Sequence, residues 1–231
     1  MRILLIVTNT GMYKSAIIPT GLWLSELTHI YRSARERGYE IVIASPKGGN
    51  TPIDPESLKP FVLDKISRGY LADSTFKESL KNTQRLKDVT GKQFDCVYLA
   101  GGHGTMYDFP DDCDLQTLVR EQYENNKIVA AICHGVGGLL NVKLSTGEYL
   151  ISGKTITGFD WFEETLARRK DKVPFNLEAA LKERGVNYKK ALIPLTSNVV
   201  VDGNLITGQN PFSSKEMSKV VIGELVASAH V

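Results

Sequence analysis

The sequence predicts an α/β fold, a three-layer sandwich in which helices cover both faces of a mostly parallel central sheet. Four short runs rich in Ile, Val and Ala are typical of strands buried on both faces, and they lie at residues 3–7, 41–44, 96–100 and 128–132. Amphipathic stretches of helical length separate the first run from the second and the third from the fourth. Because strand and helix alternate, we expect right-handed crossovers between neighbouring parallel strands.

Local signals mark where other elements begin and end. In the first helix, apolar residues recur at helical spacing from Trp23 to Ala34, and Gly38 is placed to cap its C-terminus. A second helix is predicted after Asp112, because acidic groups there complement the positive end of the helix dipole. Two runs rich in Val and Ile flank residues 202–204, which predicts a hairpin, and a last helix is expected over residues 213–228.

Two regions depart from this alternation. Residues 46–92 begin with several Pro and Gly residues and then become polar, and residues 160–187 are charged and interrupted by Pro174. Both are predicted to be small helical insertions in one domain that spans residues 1–231. We expect them to wall the pocket above Cys133.

The composition fits one globular unit and excludes several classes of function. The chain has 231 residues, of which 42% are apolar, and a net charge of +2 from 28 basic and 26 acidic side chains. This apolar content supports a core without disulfides or a structural metal. The near balance of charge argues against nucleic acid or an anionic membrane as the main partner. No apolar run reaches the ~18–20 residues of a membrane span, and the run at residues 3–7 is too short for a secretion signal.

The cysteines and histidines predict a reducing, cytoplasmic setting and no metal. Cys96, Cys113 and Cys133 form an odd set without CxxC spacing, which is typical of a cytoplasmic chain. The histidines lack metal-ligand spacing with the cysteines and carboxylates, so no metal is expected. His29 and His230 are predicted to be surface or packing residues.

The sequence AAICHGVGG at residues 130–138 predicts a nucleophile at Cys133. A buried strand ends at Ile132 and a Gly-rich helix start follows, so Cys133 is expected on a sharp strand-to-helix turn with strained backbone angles. The N-terminus of that helix is expected to lower the pKa of the thiol. A free cysteine is more often a small buried core residue, and Cys96 and Cys113, which have no such setting, are predicted to be structural or incidental.

The sequence LAGGHG at residues 99–104 ends another predicted strand. The carboxyl ends of parallel strands form the ligand crevice of an open sheet. The backbone amides of Gly102 and His103, together with that of His134, are therefore candidates for an oxyanion hole and for substrate binding. An ordinary tight turn is the alternative interpretation of the glycines.

Glu26 is a third candidate, on the shoulder of the apolar stripe of the first helix. A desolvated carboxyl group at this position would have a raised pKa, in the range that is useful for proton transfer. The alternative is a solvated boundary residue, and the sequence pattern alone does not decide between the two.

Six stretches of the chain together resemble the ThiJ/PfpI superfamily. They are PTGLWLSE at 19–26, ASPKGG at 44–49, GGHGTMYDFP at 101–110, AICHG at 131–135, TGF at 157–159 and TGQNP at 207–211. The likeness extends over almost the whole chain and is to the branch of heat-shock chaperones and glutathione-independent glyoxalases. It implies a flavodoxin-like, class I glutamine amidotransferase-like fold, a single domain of this type and a homodimer.

The resemblance also implies roles for individual residues. Cys133 corresponds to the nucleophile, and His134 to the histidine that follows it. A later acidic residue that completes a triad corresponds to Glu163 or Glu164, of which Glu164 is favoured, and Glu26 corresponds to a glutamate beside the thiol.

The activity implied by the resemblance is cofactor-independent conversion of methylglyoxal or a related 2-oxoaldehyde to a 2-hydroxy acid, through a cysteine hemithioacetal. A protein deglycase would use the same residues and would act on glycated proteins. A stress-related holding chaperone for unfolded proteins is a non-enzymatic alternative. A cysteine amidohydrolase or peptidase is a third, although Ala131 stands where amidotransferase-like elbows often have glycine, which weakens a glutaminase interpretation.

Overall fold

The computed structural model describes residues 1–15 and 17–228, so the predicted placement of His230 lies outside the described residues. Within these ranges the β-strands are β1 (Arg2–Ile6), β2 (Glu40–Ser45), β3 (Gln84–Arg85), β4 (Cys96–Leu99), β5 (Ile128–Ile132), β6 (Thr155–Ile156), β7 (Asn187–Tyr188), β8 (Val199–Asp202) and β9 (Leu205–Gly208). The α-helices of the same ranges are α1 (Leu24–Glu36), α2 (Lys65–Ala72), α3 (Ser74–Lys81), α4 (Leu86–Val89), α5 (Thr105–Asp108), α6 (Cys113–Glu124), α7 (Trp161–Leu166), α8 (Leu177–Glu183) and α9 (Ser214–Ser228).

Seven strands form one sheet in the order β3-β2-β1-β4-β5-β9-β8. All neighbouring pairs are parallel except β8 and β9, which form an antiparallel edge. Ile3 in the central strand β1 pairs with Ile41 on one side and with Cys96 on the other. The four runs that the sequence predicts to be strands are therefore four neighbouring parallel strands, β2, β1, β4 and β5.

Helices cover both faces of this sheet. α1 and α9 pack against each other on one face, where α1 contacts β1 and β2 and α9 contacts β5 and β9. On the other face α6 packs on β4 and β5, with α4 beside it. Every residue of β4 and β5 is buried, as expected for strands that are covered on both sides. The predicted three-layer α/β sandwich is confirmed.

The predicted helix ends are also confirmed. Gly38, just beyond α1, has a φ of 67°, and its N–H donates a hydrogen bond to the carbonyl of Arg35 at 3.0 Å. A left-handed residue that closes a helix in this way favours glycine, because glycine has no Cβ to clash. At the start of α6, the carboxylate of Asp112 accepts a hydrogen bond from the N–H of Leu115 at 2.8 Å, which makes it the N-cap.

The C-terminal hairpin and helix have the predicted positions. Asp202 in β8 pairs with Leu205 in β9, so the turn between them has two residues, and Gly203 there has a φ of 62°. α9 follows and packs on α1. None of the helices within residues 1–15 and 17–228 combines the length and the apolar composition that a membrane crossing requires.

The two predicted insertions are mainly helical, but each also contains a short strand that the sequence pattern does not predict. Region 46–92 holds α2, α3 and α4, and its strand β3 pairs with β2 at the edge of the main sheet. Region 160–187 holds α7 and α8, and its last residue begins β7, which pairs with β6 in a separate small sheet. Both strands have only two residues, and Gln84 and Arg85 are exposed, so neither shows an apolar run or an alternation. The description of these regions as insertions in one domain stays a prediction.

Candidate active site

Cys133 lies on a strained turn at the C-terminal end of the central strand β5. Its φ is 58°, a conformation that non-glycine residues rarely adopt, and its side chain is buried. The segment that follows, Cys133–Leu139, is a 3-10 helix. Gly135 allows this turn to pack closely on β4, because a Cβ there would lie 2.6 Å from the carbonyl oxygen of Leu99. The elbow therefore has the geometry that the sequence predicts.

Cys133, His134 and Glu164 form a continuous chain of contacts. The Cys133 Sγ lies 3.3 Å from His134 Nδ1, and His134 Nε2 lies 2.7 Å from Glu164 Oε2. All three residues are buried. Glu164 is in α7, whose start is fixed by Asp160, since this N-cap accepts a hydrogen bond from the N–H of Glu163 at 2.9 Å. Of the two acidic residues that the resemblance left open, the structure brings Glu164 to the histidine.

His103 enters the same cluster through its side chain, which the sequence did not predict. Its Nε2 lies 2.8 Å from Glu164 Oε1, so the two oxygens of one carboxylate each contact an imidazole. The rings of His103 and His134 are in tilted contact, with centroids 4.0 Å apart and planes at 39°, and Phe159 packs on His134 at 4.4 Å. The GGHG sequence placed His103 at a strand end, but nothing in it indicates a contact with a glutamate 61 residues away.

The contacts among His103, His134 and Glu164 determine the protonation states of His134 and Glu164. Burial and the neighbouring His103 lower the pKa of His134 to about 4, although Glu164 acts in the opposite direction. Burial disfavours the charged form of Glu164, but its contacts with both imidazoles outweigh burial and hold the pKa of its carboxyl well below the usual range. At neutral pH Glu164 is therefore ionised and His134 is a neutral imidazole, which is able to accept a proton.

Glu26 lies on the other side of the cysteine, in the first turn of α1, and has no solvent exposure. Its Oε2 accepts a hydrogen bond from the N–H of Gly101 at 2.8 Å. Burial raises the pKa of Glu26 to about 8, against the smaller lowering effects of the Cys133 thiol and the Gly101 amide. A Cβ on Gly101 would lie 2.5 Å from Glu26 Oε2 and 3.0 Å from the Cβ of Cys133, so this position needs glycine. The solvated alternative for Glu26 is wrong.

The expected lowering of the Cys133 pKa is also wrong. Burial and the adjacent carboxyl group of Glu26 raise the pKa of the thiol well above its usual value, and the N–H of His134 offsets only part of this. The helix that follows is a short 3-10 helix rather than an α-helix, and the thiol is desolvated. The resting side chain is therefore a thiol that needs a neighbouring base.

Of the backbone amides proposed for the oxyanion hole, those of Gly102 and His103 lie in the turn after β4, and that of His134 lies in the elbow after β5. Within the described residues, the N–H groups of Gly102 and His103 donate to no acceptor, whereas the N–H of His134 bonds to the Cys133 sulfur. Gly102 has a φ of 108°, and a Cβ there would lie 2.2 Å from the carbonyl oxygen of Gly21. The glycine is therefore required by close packing as well as by backbone conformation.

A cavity of about 240 Å³ opens above Cys133. Its base contains Cys133, His103, His134 and Phe159. Its walls come from the N-cap residue of α1, from the two predicted insertions and from the segments before β8 and α9. The wall residues are Trp23, Glu56, Lys59, Phe61, Val62, Glu163, Leu166, Ala167, Arg169, Leu195, Pro211 and Phe212. The sequence predicted that the insertions would wall this pocket, and the lining residues of both regions confirm it. The sequence did not predict Trp23 as a lining residue, because Trp23 was expected on the buried apolar stripe of the first helix.

Three polar atoms around the cavity have no well-formed hydrogen bond within the described part of the chain. They are Trp23 Nε1, Glu26 Oε1 and Glu163 Oε2, and all three are buried. The other oxygen of Glu163 is saturated, since it accepts hydrogen bonds from Gln209 Nε2 at 2.9 Å, Asn210 Nδ2 at 2.8 Å and the N–H of Leu195 at 2.8 Å. Unpartnered buried polar atoms are rare, and three of the six in the described residues lie at or beside this cavity, which favours a site that is completed by a polar ligand.

The geometry also bears on the expectation that no metal binds. The ligand atoms of His103, His134 and Glu164 lie within 4.8 Å of one another, a set of groups that is able to hold a metal ion. Sequence spacing could not show this, because the three residues come from different elements. In the structure the two imidazoles are instead hydrogen-bonded to the carboxylate itself.

The remaining cysteines and histidine lie outside the site. Cys96 is buried in β4, and Cys113 is exposed at the start of α6. His29 packs between α1 and α2, where its Nε2 lies 2.8 Å from Asp64. These placements agree with the structural or incidental roles predicted for the two cysteines and with the surface or packing role predicted for His29.

The fold and the site together define a class of protein. It is an α/β sandwich with a cysteine on a strained elbow after a central strand, a histidine directly after the cysteine and a carboxylate from a later helix. The chain belongs to the DJ-1/PfpI family, whose family model matches residues 16–224. The resemblance found in the motifs is confirmed.

Two curated relatives and two solved structures are similar over nearly the whole chain. Glutathione-independent glyoxalase HSP31 of Saccharomyces cerevisiae is 32% identical, with 92% of this chain and 93% of the relative covered. Glyoxalase 3 of Candida albicans is 31% identical, with 88% and 89% covered. The crystal structure of glyoxalase III from Candida albicans superposes with a TM-score of 0.88 at 30% identity, covering 96% of each chain. The X-ray structure of the Rapid Encystment Protein 24 KDa of Francisella tularensis superposes with a TM-score of 0.92 at 40% identity, covering 97% of this chain and 98% of that one.

Proposed function

We propose that this chain is a glutathione-independent glyoxalase that converts methylglyoxal or a related 2-oxoaldehyde and water to a 2-hydroxy acid, without a cofactor. The observation that carries the proposal is the burial of Glu26 beside Cys133, which raises the pKa of this carboxyl to about 8. A carboxyl group with such a pKa exchanges protons readily near neutral pH. The names of the similar proteins from Saccharomyces and Candida support the same activity.

In the first step the sulfur of Cys133 adds to the aldehyde carbon. The thiol proton passes to Nδ1 of the neutral His134, 3.3 Å away, and Glu26 gives its proton to the aldehyde oxygen. The product is a hemithioacetal, and Glu26 is left ionised next to the C–H group of the former aldehyde. The free amides of Gly102 and His103 supply hydrogen bonds for oxygen as negative charge develops on it.

In the second step a proton moves between the two carbons. Glu26 takes the proton from the sulfur-bearing carbon, and the electron pair forms the double bond of an enediol while the protonated His134 gives its proton to the ketone oxygen. Glu26 then returns its proton to the second carbon, and His134 takes the hydroxyl proton of the first carbon. The result is a thioester of the 2-hydroxy acid, with no net oxidation.

In the third step water releases the acid. Water adds to the thioester carbon and gives a proton to Glu26, the carbon–sulfur bond breaks, and the sulfur recovers its proton from His134. Glu164 contacts no reacting atom in this scheme and holds the ring of His134 in place, at 2.7 Å from its Nε2. The enzyme returns to its starting protonation state.

The experiment that tests the proposal is measurement of 2-hydroxy acid formation from methylglyoxal in the absence of glutathione. Wild type is expected to turn over, and Cys133→Ala is expected to lose the activity because it cannot form the hemithioacetal. Cys113→Ala is the matched control, since Cys113 is exposed and distant from the cavity. Full activity of Cys133→Ala, with circular dichroism showing that it is folded, would contradict the mechanism.

The homodimer, the glycated or unfolded protein partners and the cytoplasmic location that the sequence suggested stay predictions. Light scattering of the purified chain measures the oligomeric state directly. A single species with the mass of two chains is the expected result.

A further inference from the structure

The cavity above Cys133 has two chemically different ends. The reactive end is buried and polar, with the cysteine, the two histidines and the unpartnered atoms of Trp23 and Glu163. The open end is formed by large apolar side chains that are held in solvent. The exposed fractions are 84% for Phe61, 55% for Phe212, 49% for Leu166 and 42% for Leu195.

Clustered apolar side chains that remain exposed at the mouth of a cavity mark a binding surface more often than a packing defect. Methylglyoxal offers this surface only one methyl group beyond its two reacting carbons. A cavity of about 240 Å³ is larger than such a small molecule needs. If methylglyoxal is the preferred substrate, the apolar side chains of the open end therefore contact no part of the substrate.

The charged groups at the mouth are engaged with one another. Glu56 pairs with Lys59 at 2.6 Å and with Arg169 at 3.6 Å. The guanidinium of Arg169 also lies over the ring of Tyr13, 5.9 Å from its centroid. These contacts leave the apolar side chains as the main surface available to a substrate at this end.

One residue of the mouth is held in place by the site itself. Leu195 has a φ of 61°, which is a strained conformation for leucine, and its N–H donates to the buried Oε1 of Glu163 at 2.8 Å. A strained residue persists only where its surroundings hold it, so this part of the mouth is organised before a ligand arrives.

We propose that the open end of the cavity selects 2-oxoaldehydes that carry an aromatic or branched aliphatic group on the ketone carbon, in preference to methylglyoxal. This inference rests on the proposed glyoxalase function. The two carbonyl carbons lie at Cys133 and Glu26, and the substituent extends outward between Phe61, Leu166 and Phe212. These three side chains are specificity residues and take no part in the bond-making steps.

The test compares kcat/KM for phenylglyoxal and methylglyoxal in wild type and in three variants. Wild type is expected to prefer phenylglyoxal by about 10-fold or more, the size of discrimination that small changes of apolar contact produce in hydrophobic pockets. Phe212→Ala and Phe61→Ala are expected to lower kcat/KM for phenylglyoxal by a similar factor of about 10. The same variants are expected to change kcat/KM for methylglyoxal little. Leu192→Ala is the control, because Leu192 is fully exposed and does not line the cavity. Wild type preincubated with phenylglyoxal must keep its methylglyoxal rate, which shows that arginine modification does not distort the comparison.

Two results would overturn the inference. One is a wild-type preference for methylglyoxal, and the other is an equal fall of kcat/KM for phenylglyoxal and for methylglyoxal in Phe212→Ala and Phe61→Ala. Calorimetric binding of mandelate and lactate, the corresponding 2-hydroxy acids, separates this inference from the proposed function. Tighter binding of mandelate that is lost in Phe212→Ala, in a protein that turns over neither aldehyde, would contradict the glyoxalase proposal and support the apolar selectivity. Equal binding of the two acids in a protein that turns over both aldehydes alike would contradict the selectivity and leave the glyoxalase function standing.

Discussion

Two carboxyl groups flank the cysteine–histidine pair, and their surroundings give them different protonation states: Glu26 is neutral and Glu164 is ionised. Glu26 in α1 is buried with one backbone donor at 2.8 Å, and burial raises its pKa to about 8. Glu164 in α7 is also buried, but it contacts two imidazoles, at 2.7 and 2.8 Å, which hold its pKa well below the usual range. Burial alone therefore does not decide ionisation, because the two imidazoles outweigh it at Glu164 whereas the smaller contacts of Glu26 do not. A site whose two carboxyl groups differ in pKa in this way contains a proton carrier, here Glu26, and a fixed anion, here Glu164.

The largest expected effect comes from removing the proton carrier. Glu26→Gln keeps the size of the side chain but cannot take a proton from carbon, so kcat/KM for 2-oxoaldehydes is expected to fall by about 10²–10⁴-fold, the range for loss of a general acid–base group. Steady-state kinetics measure this. Glu36→Gln at the exposed end of the same helix is the matched control and is expected to behave like wild type. Near-normal turnover by Glu26→Gln would assign the proton transfer to another group.

A smaller loss is expected when the fixed anion is neutralised. Glu164→Gln no longer presents two charged oxygens to His103 and His134, so the ring of His134 loses its alignment with Cys133. A misplacement of about 1 Å costs on the order of 10²-fold in rate. Glu163→Gln is the comparison, because Glu163 is the adjacent residue of α7 and contacts neither histidine. The assignment of Glu164 fails if Glu163→Gln is the more damaging of the two in the same kinetic assay.

Counted per pH unit, the smallest expected effect concerns stability. The unfolded chain releases the Glu26 proton near the ordinary pKa of 4.5, whereas the folded chain holds it to about 8. Between these values the folded state binds more protons, so the contribution of Glu26 to the free energy of unfolding falls as pH rises, by at most about 1.4 kcal/mol per pH unit. Glu26→Gln lacks this fall in the free energy of unfolding. Its free energy of unfolding is therefore expected to rise relative to that of wild type as pH increases between the two pKa values.

Denaturant unfolding at several pH values between those two pKa values measures the difference between Glu26→Gln and wild type. Glu36→Gln is expected to show no such trend relative to wild type, since its carboxyl group is exposed. A difference for Glu26→Gln that stays constant with pH would mean that this carboxyl group is not desolvated in the folded chain.

The same comparison shows what the sequence could and could not predict. The strands, the elbow at Cys133 and the caps of α1 and α6 follow from local patterns, which are set by residues close in the chain. The helix pattern marked Glu26 as a candidate, and the family motifs supported it and added Glu164. The sequence pattern could not decide whether Glu26 is buried or solvated, because that depends on how the end of β4 packs on α1.

What the sequence missed depends on contacts between distant segments. The imidazole of His103 meets Glu164 only because β4, β5 and α7 converge at one edge of the sheet, and the edge strand β3 is too short and polar to have a pattern. The pKa of Cys133 was predicted in the wrong direction, since a helix start is visible in sequence but the desolvation of the thiol is not.

The high pKa of the buried Cys133 thiol has a consequence for the durability of the protein in an oxidising environment. Oxidation of cysteine by peroxide begins from the thiolate, and Cys133 at rest is protonated. Its sulfur becomes nucleophilic as His134 takes the proton, with an aldehyde in the cavity. A protonated resting thiol reacts more slowly with peroxide than a thiolate does, while the cavity leaves the sulfur accessible to carbonyl electrophiles.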